Sequence, residues 1–174
     1  MGSITVRSRR IIRASPERVW RALTVAEEIA VWMPPGFTEF DPRPGGTFRA
    51  GIPGEATASH GTIVTFEPPR RLAYRCVAEA VSLEMRIAYT LEPHRRGTRV
   101  TVEEGGFEGA RLPSRAEYRK ELETADALGR DLLRARIRSE GRGWAASLRK
   151  LLKHSRRHGR KTLADLKTFC EGRA

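Results

Sequence analysis

Residues 82–91 read SLEMRIAYTL, and the alternation within this stretch decides the fold class. One side of the extended chain carries Leu83, Met85, Ile87, Tyr89 and Leu91, and the other carries Ser82, Glu84, Arg86, Ala88 and Thr90. Successive side chains of a strand point to opposite faces. A period of two with one apolar face therefore predicts a strand in an antiparallel sheet that covers a core on one side only.

Strand-like runs of the same kind lie on both sides of this stretch. The predicted strands are residues 3–14, 38–41, 47–50, 61–66, 72–76, 82–91 and 98–105, separated by turn residues at short intervals. Two short helices follow the first strand. Ser15 and Pro16 are typical of a helix start, and Thr24 and Glu27 have the spacing of a capping box for the second helix.

Helical periodicity takes over after Pro113. Ser114 suits the N-cap of a helix that extends to Arg138, and the apolar period resumes over residues 144–153. Residues 155–174 are basic and polar, with one short amphipathic helix over residues 162–170. The length of 174 residues suits a single core. We therefore expect one domain over residues 1–154 and a basic C-terminal tail over residues 155–174.

The net charge of +12 is concentrated near the C-terminus, where residues 130–174 hold 14 basic and 4 acidic residues. Such a segment suits nucleic acid, an acidic protein or an anionic surface. However, 28 of the 33 basic residues are arginine, a bias that a GC-rich genome would also produce. The composition leaves both explanations open.

Several kinds of site and location are not expected from this sequence. No uninterrupted apolar run reaches the length of about 18 residues that a membrane span needs, and no signal-peptide pattern begins the chain, which favours a cytoplasmic location. Cys76 and Cys170 lie far apart without a zinc-ligand spacing, so we expect no metal site and no disulfide framework. No phosphate loop or dinucleotide fingerprint occurs, and no cofactor is expected. Cys76 falls within a predicted strand and is interpreted as a small core residue.

Several short motifs follow one another in order along the chain. These are residues 12–24 (IRASPERVWRALT), 32–34 (WMP), 45–49 (GGTFR), 61–64 (GTIV), 67–74 (EPPRRLAY), 97–102 (GTRVTV), 106–107 (GF) and 143–144 (GW). With this ordered set over residues 4–153, the chain resembles the SRPBCC (START-like) superfamily, and within it the bacterial proteins similar to the activator of the ninety-kilodalton heat-shock protein ATPase. The resemblance implies an α+β helix-grip fold, in which a curved antiparallel sheet, two short helices and a long C-terminal helix enclose a cavity.

The resemblance further implies a small apolar ligand in that cavity. Large side chains at positions that face the interior of such a fold, together with one histidine at its mouth, are the expected ligand-binding residues: Trp32, Phe48, His60, Tyr74, Met85, Tyr89 and Trp144. No catalytic residue is assigned, because no nucleophile elbow, phosphate loop or dinucleotide fingerprint is present. The first hypothesis is thus a ligand carrier and not an enzyme.

Two other hypotheses stay open. A cyclase or dehydratase of the polyketide type would require His60, Tyr74 or Glu84 to point into the cavity. An interaction module similar to the heat-shock ATPase activators would instead bind an acidic protein or nucleic acid through its basic C-terminal helix. The helix predicted over residues 114–138 has more apolar surface than one grip needs, which favours a homodimer.

Overall fold

The computed structural model describes residues 5–33, 36–51, 58–78, 83–106 and 144–172, with the backbone alone for residues 38, 78, 83, 144–152 and 154. In chain order, the elements are β1 (Thr5–Ile12), α1 (Pro16–Thr24), α2 (Ala26–Trp32), β2 (Phe37–Phe40), β3 (Thr47–Ala50), β4 (Ser59–Glu67), β5 (Arg71–Ala78), β6 (Leu83–His94), β7 (Gly97–Gly105) and α3 (Trp144–Glu171). The helix predicted over residues 114–138 lies outside the described residues.

All seven of these strands form one antiparallel sheet in the order β1-β7-β6-β5-β4-β3-β2. Strands β2 to β7 form a meander. β1 pairs with β7 and is the edge strand opposite β2. Three helices occur in the described part of the chain, one of them C-terminal. The predicted α+β helix-grip fold class is confirmed.

The sheet curves because two features of β4 permit a bend. The pairing of β4 with β5 shifts register between Ile63 and Thr65, which is a β-bulge. Gly61 lies so close to the neighbouring strand that a Cβ there would be 2.0 Å from the carbonyl oxygen of Arg75. Glycine therefore allows a backbone approach at this position that any other residue would prevent.

One face of the sheet, here called the concave face, covers the core. Opposite residues in the antiparallel register share a face, and the series Leu72, Tyr89, Val102 and Ser8 runs across four neighbouring strands. All four side chains are buried. The alternation that residues 83–91 predict is confirmed, since Tyr89 and Leu91 belong to this buried face.

The two short helices form where the sequence predicts them, but the start of the second differs. Ser15 caps α1 by accepting a hydrogen bond from the Arg18 backbone N–H at 3.2 Å. The predicted capping box at Thr24 is wrong. The Thr24 hydroxyl instead donates to the Trp20 carbonyl at 2.8 Å within α1, and Val25 caps α2 without a side-chain bond.

The C-terminal helix differs most from the sequence-based expectation. Residues 155–171, expected to be an appended tail with one short helix, are the second half of the continuous helix α3. Residues at helical spacing along one side are buried: Ser155, Gly159, Thr162, Leu163, Leu166 and Cys170. The basic residues occupy the other positions of the same turns, which gave the segment the composition of a polar tail.

Helix α3 packs mainly against the edge strand β1 and also against β7. Gly159 permits this close packing, because a Cβ there would lie 3.0 Å from Ser8 Oγ and 3.3 Å from Glu104 Oε1. At its C-terminal end, the Glu171 carboxylate accepts a hydrogen bond from the Arg13 backbone N–H. The helix thus follows β1 along its length and links it to the start of α1.

Candidate ligand-binding site

Five aromatic rings from β2, β3, β5 and β6 form a continuous group, here called the aromatic cluster: Phe37, Phe40, Phe48, Tyr74 and Tyr89. Phe37 stacks on Phe40 with ring centroids 4.7 Å apart. Phe48 meets Tyr74 edge-to-face at 5.0 Å, and Tyr74 meets Tyr89 in the same way at 6.5 Å. Such offset and edge-on contacts are the favoured geometries of aromatic pairs.

The strand register brings these rings together. Phe40 lies opposite Phe48, and Phe48 lies opposite Gly61, which has no side chain to separate the rings. On the next strands, Tyr74 lies opposite Ile87, two residues from Tyr89. Residues opposite each other share the concave face, and the register shift between Phe37 and Glu39 brings Phe37, three residues before Phe40, to the same side.

The two tyrosines of the cluster have unusual surroundings for a polar group. Tyr74 is 6% exposed and Tyr89 is 8% exposed, and neither hydroxyl has a hydrogen-bond partner among the described residues. Burial raises the pKa of both phenols well above the usual value of 10, with a smaller contribution from Tyr89 at Tyr74 and from Glu104 at Tyr89. Both hydroxyls therefore stay protonated at neutral pH and are available to donate.

Cys76 lies on the concave face beside this cluster and is buried, in keeping with its interpretation as a core residue. Burial raises its thiol pKa to about 11, and the carboxylates of Glu104 and Glu84 add to the shift. Because the thiolate is the reactive form of cysteine, a protonated thiol is a poor nucleophile at neutral pH. Cys76 contributes packing to this site.

Glu104 is a buried carboxylate that the sequence analysis did not single out. Its side chain is 7% exposed. The Ser155 hydroxyl of α3 donates to Glu104 Oε2, and His158 Nδ1 lies 3.6 Å from Glu104 Oε1. The signal was present in the alternation of β7, where Glu104 continues the face of Val100 and Val102.

The predicted ligand-binding residues lie in different parts of the structure. Phe48, Tyr74 and Tyr89 meet in the aromatic cluster, and Met85 lies half-buried on the same face, opposite Cys76. Trp32 is buried elsewhere in the core, and its indole N–H donates to the Ala22 carbonyl at 2.8 Å.

The two remaining predicted residues lie apart from this group. His60 is exposed on the opposite face of the sheet, across from Arg49 on β3. The side chain of Trp144 lies outside the described part of the structure. The aromatic cluster adds Phe37 and Phe40, which the sequence analysis did not assign to the site; Phe40 lies within the predicted strand 38–41 and Phe37 just before it.

The outer, convex face of the sheet carries the charged row that includes Glu84. Arg75 Nε lies 3.4 Å from Glu84 Oε1, and Arg7 Nε donates to Glu103 Oε1 at 2.8 Å. These pairs are exposed, and such pairs contribute at most about 1 kcal/mol each. Of the three groups that a cyclase or dehydratase would need in the interior, only Tyr74 lies on the concave face.

An open pocket of about 430 Å³ lies elsewhere, between the start of α1 and the ends of β5 and β6. It is lined by Pro16, Glu17, Glu67, Pro69, Arg70, Arg71, Thr90, Leu91, Glu92 and Pro93. None of the predicted ligand-binding residues contributes to it. We therefore treat it as separate from the aromatic cluster.

Two other features of the described residues bear on the kind of site. No group of three or more His, Cys, Asp or Glu side chains in these ranges is arranged to hold a metal ion. No helix in the same ranges is long and apolar enough to cross a membrane.

A curved antiparallel sheet with a C-terminal helix packed on its concave face, together with two short helices after the first strand, defines the helix-grip class. The chain belongs to the family described as activator of Hsp90 ATPase homolog 1-like protein, whose model matches residues 13–154. The half of α3 that packs against β1 lies beyond this match.

Solved structures with the same fold come from several proteins. The protein MLL2253 of Mesorhizobium loti is 23% identical with a TM-score of 0.53, covering 88% of this chain and 98% of its own. The Aha1 dimer of Colwellia psychrerythraea, solved in solution, is 16% identical with a TM-score of 0.52, covering 69% and 87%. DynU16, from the dynemicin biosynthetic locus, is 18% identical with a TM-score of 0.54, covering 90% and 49%.

At these identities the likeness to the three structures concerns the fold alone. No curated protein sequence matches this chain.

Proposed function

We propose that this chain binds a small, mainly aromatic molecule at the concave face of its sheet, with the aromatic cluster as one wall of the site. The observation that carries the proposal is the pair of buried tyrosine hydroxyls, Tyr74 and Tyr89, which lack a hydrogen-bond partner among the described residues. The chain acts as a carrier or ligand-binding protein.

The free-energy cost of the two buried hydroxyls favours a ligand that supplies a hydrogen-bond acceptor. A buried hydroxyl without a hydrogen bond costs about 1–3 kcal/mol. Phenylalanine would fill the same space at either position without this cost. A ligand oxygen that accepts a hydrogen bond from Tyr74 or Tyr89 would offset it.

The surroundings of the two hydroxyls suggest the chemical class of the ligand. Phe37, Phe40 and Phe48 offer apolar ring faces, whereas the tyrosines offer two donors at one end of the cluster. Ligand sites of this kind combine an apolar lining with a few polar groups that fix orientation. We expect a flat, apolar molecule that carries one or more carbonyl or hydroxyl oxygens.

Binding accounts for these groups better than acid–base catalysis does. A phenol with a raised pKa donates a hydrogen bond but does not act as a base at neutral pH. His60 and Glu84 lie on the convex face, away from the cluster. The location of DynU16 in a biosynthetic locus supports a ligand from small-molecule metabolism, at the level of fold alone.

The family description also suggests an interaction with an ATPase. For this chain, that activity would require a partner-binding surface, and protein interfaces are usually built around apolar and aromatic residues. The exposed large hydrophobic side chains of the described residues are Val31 and Val64, on α2 and β4. They lend less support to this function than the tyrosines lend to ligand binding.

A ligand panel tests the proposal. Wild-type protein is screened by thermal shift against naphthoquinones, flavonoids and hydroxylated polycyclic aromatics, and hits are measured by calorimetry. Tyr74→Phe and Tyr89→Phe are each expected to weaken binding by about 2- to 10-fold, since one neutral hydrogen bond contributes about 0.5–1.5 kcal/mol.

Thr168→Val is the matched control, because it also removes one hydroxyl but at an exposed site within α3, where Thr168 donates to the Ala164 carbonyl at 3.0 Å. It should bind as the wild type does. Absence of any hit, or equal affinity in all four proteins, would count against the proposed site.

A homodimer is a further proposal, and the Aha1 dimer of Colwellia psychrerythraea supports it only through its fold. Light scattering during gel filtration should then give a mass of about twice 19.6 kDa. A single species at the monomer mass would remove the dimer and leave the ligand proposal unaffected.

A further inference from the structure

Helix α3 carries a row of cations on the side that faces solvent. The row, here called the basic stripe, consists of Lys153, Arg156, Arg157, Arg160 and Lys161. Their spacing is i, i+3, i+4, i+7 and i+8, which places them on one helical face. All five are exposed, and the buried residues of the same turns lie on the other side.

The cations of this stripe are largely without partners. Lys161 pairs with Asp165, but Lys153, Arg156, Arg157 and Arg160 have no ion pair within the described residues. Elsewhere many arginines are paired, among them Arg7 with Glu103 and Arg75 with Glu84. Within the part of the chain that the structure describes, the stripe is therefore a surface of uncompensated charge.

The strand that packs against the helix adds one further cation on the same side of the sheet. β1 is an edge strand, and its Arg10, which shares the face of Ser8, is exposed and also unpaired among the described residues, whereas Arg9 lies on the convex face with Arg7. Helix α3 runs along this strand from Ser8, near Gly159, to Arg13, near Glu171. Five cations without an ion pair in the described ranges thus belong to two elements that pack against each other.

We propose that the basic stripe binds the phosphate backbone of duplex nucleic acid without reading its sequence. From Lys153 to Lys161 the helix rises about 12 Å. The same length of duplex axis carries about seven phosphate charges. Arginine guanidinium groups also match phosphate in geometry. The proposal is independent of the ligand site.

The composition of the stripe favours a duplex over the other anionic partners. A protein partner would call for apolar or aromatic residues at the centre of the contact, and the stripe has none. A single strand would call for aromatic side chains on which bases stack. Residues 153–172 contain one phenylalanine, Phe169, and no tyrosine or tryptophan. Phe169 is half-buried, and the Arg18 guanidinium carbon lies 4.8 Å from the centroid of its ring.

A membrane surface is also disfavoured. Basic helices that lie on a bilayer insert their apolar face among the lipids. The apolar side of α3, with Leu163 and Leu166, is buried against the sheet. Electrostatic attraction to a flat anionic surface would have no apolar anchor to supplement it.

Fluorescence anisotropy with a labelled duplex of about 24 base pairs tests this inference, at salt concentrations from about 50 to 300 mM. The full chain is compared with the triple variant Arg156→Gln, Arg157→Gln, Arg160→Gln. We expect the variant to bind at least about 10-fold more weakly near 100 mM salt. The slope of log K against log salt should fall by about 2 to 3, because each phosphate that a cation neutralises contributes about 0.9 to it.

The matched control is Arg86→Gln, Arg95→Gln, Arg96→Gln, which removes the same charge from exposed arginines of β6 and its hairpin. It should bind within about 2-fold of the wild type, and circular dichroism should show all three proteins folded. Equal weakening in both variants would overturn the inference, because net charge alone would then explain it. The inference would also be overturned if the wild type did not bind the duplex, or if it bound the matching single strand more tightly. Displacement of the duplex by polyglutamate at equal charge concentration would overturn it as well.

Discussion

At the scale of single residues, the interior of this domain contains polar groups in two contrasting states. Glu104 is a buried carboxylate that Ser155 satisfies from α3. The hydroxyls of Tyr74 and Tyr89 are buried without a partner among the described residues. The first arrangement stabilises the fold, whereas the second costs stability and is the basis of the ligand proposal.

The tyrosines should therefore respond to substitution in an unusual way. Tyr74→Phe and Tyr89→Phe should leave the free energy of unfolding unchanged or raise it by up to about 1 kcal/mol, because each removes a buried hydroxyl that no described residue satisfies. Urea unfolding of the ligand-free protein checks this. A decrease of about 1 kcal/mol or more would mean that the hydroxyl has a protein partner.

Ser155 should respond in the opposite way. Ser155→Ala leaves a buried carboxylate oxygen of Glu104 without its donor, so we expect the free energy of unfolding in urea to fall by about 1–3 kcal/mol. Thr168→Ala removes an exposed hydroxyl from the same helix and should cost less than about 0.5 kcal/mol. Similar small decreases in both variants would contradict the role of Ser155.

Residue identities in the site were only partly accessible from the sequence. Alternation along β6 placed Tyr89 on the inner face, whereas the family resemblance implied interior positions for Tyr74 and Phe48. His60 was misplaced because it lies one residue from Gly61, and a shift of one residue moves a side chain to the other face. Glu104 was missed although it continues the face of Val100 and Val102, because carboxylates are rarely buried and alternation alone does not single one out.

At the scale of elements, the prediction from the sequence was least accurate for α3. Its buried positions, including Gly159 and Leu163, alternate with arginines and lysines in every turn. Composition therefore suggested a tail, although helical periodicity was present. The strands were easier, since each has one apolar face and ends at a turn residue, and β3 has the predicted bounds of 47–50.

The second half of α3 should accordingly be essential to the fold. A chain that ends at residue 154 lacks Leu163 and Leu166, which are 1% and 0% exposed. Leu166→Ala in the full chain should cost about 2–5 kcal/mol. We expect the truncated chain to lose cooperative thermal unfolding. A truncated protein that unfolds as cooperatively as the full chain would instead support a domain that ends at residue 154.

The contact between the end of α3 and the start of α1 should depend on pH. A hydrogen bond from Lys167, with a further one from the Arg13 backbone, holds the pKa of Glu171 below its usual 4.5. A lowered pKa stabilises the fold above the unfolded-state value, and this contribution disappears as the pH falls below about 4.5.

Glu171→Gln tests that contact. At pH 7 it should lower the free energy of unfolding by less than about 1 kcal/mol, as is usual for a partly exposed pair. The difference from the wild type should shrink steadily between about pH 5 and pH 3. A difference that stays constant over this range would show that the carboxylate charge is not involved.

At the scale of the whole molecule, the fold presents three surfaces with different chemistry, two on the sheet and one on α3. The concave face holds the aromatic cluster, the convex face holds paired charges such as Arg75 with Glu84, and the solvent side of α3 holds the basic stripe. Fold class and family followed from the ordered set of motifs, through the family resemblance that these motifs carry. The volume enclosed could not follow, since periodicity specifies faces and not distances.

A crystal structure with the tightest ligand of the panel tests the central claim most directly. We predict a ligand oxygen within about 2.5–3.0 Å of Tyr74 Oη or Tyr89 Oη, with the body of the ligand against Phe48. The claim would be contradicted if both hydroxyls were bonded to protein groups and side chains filled the space next to the cluster.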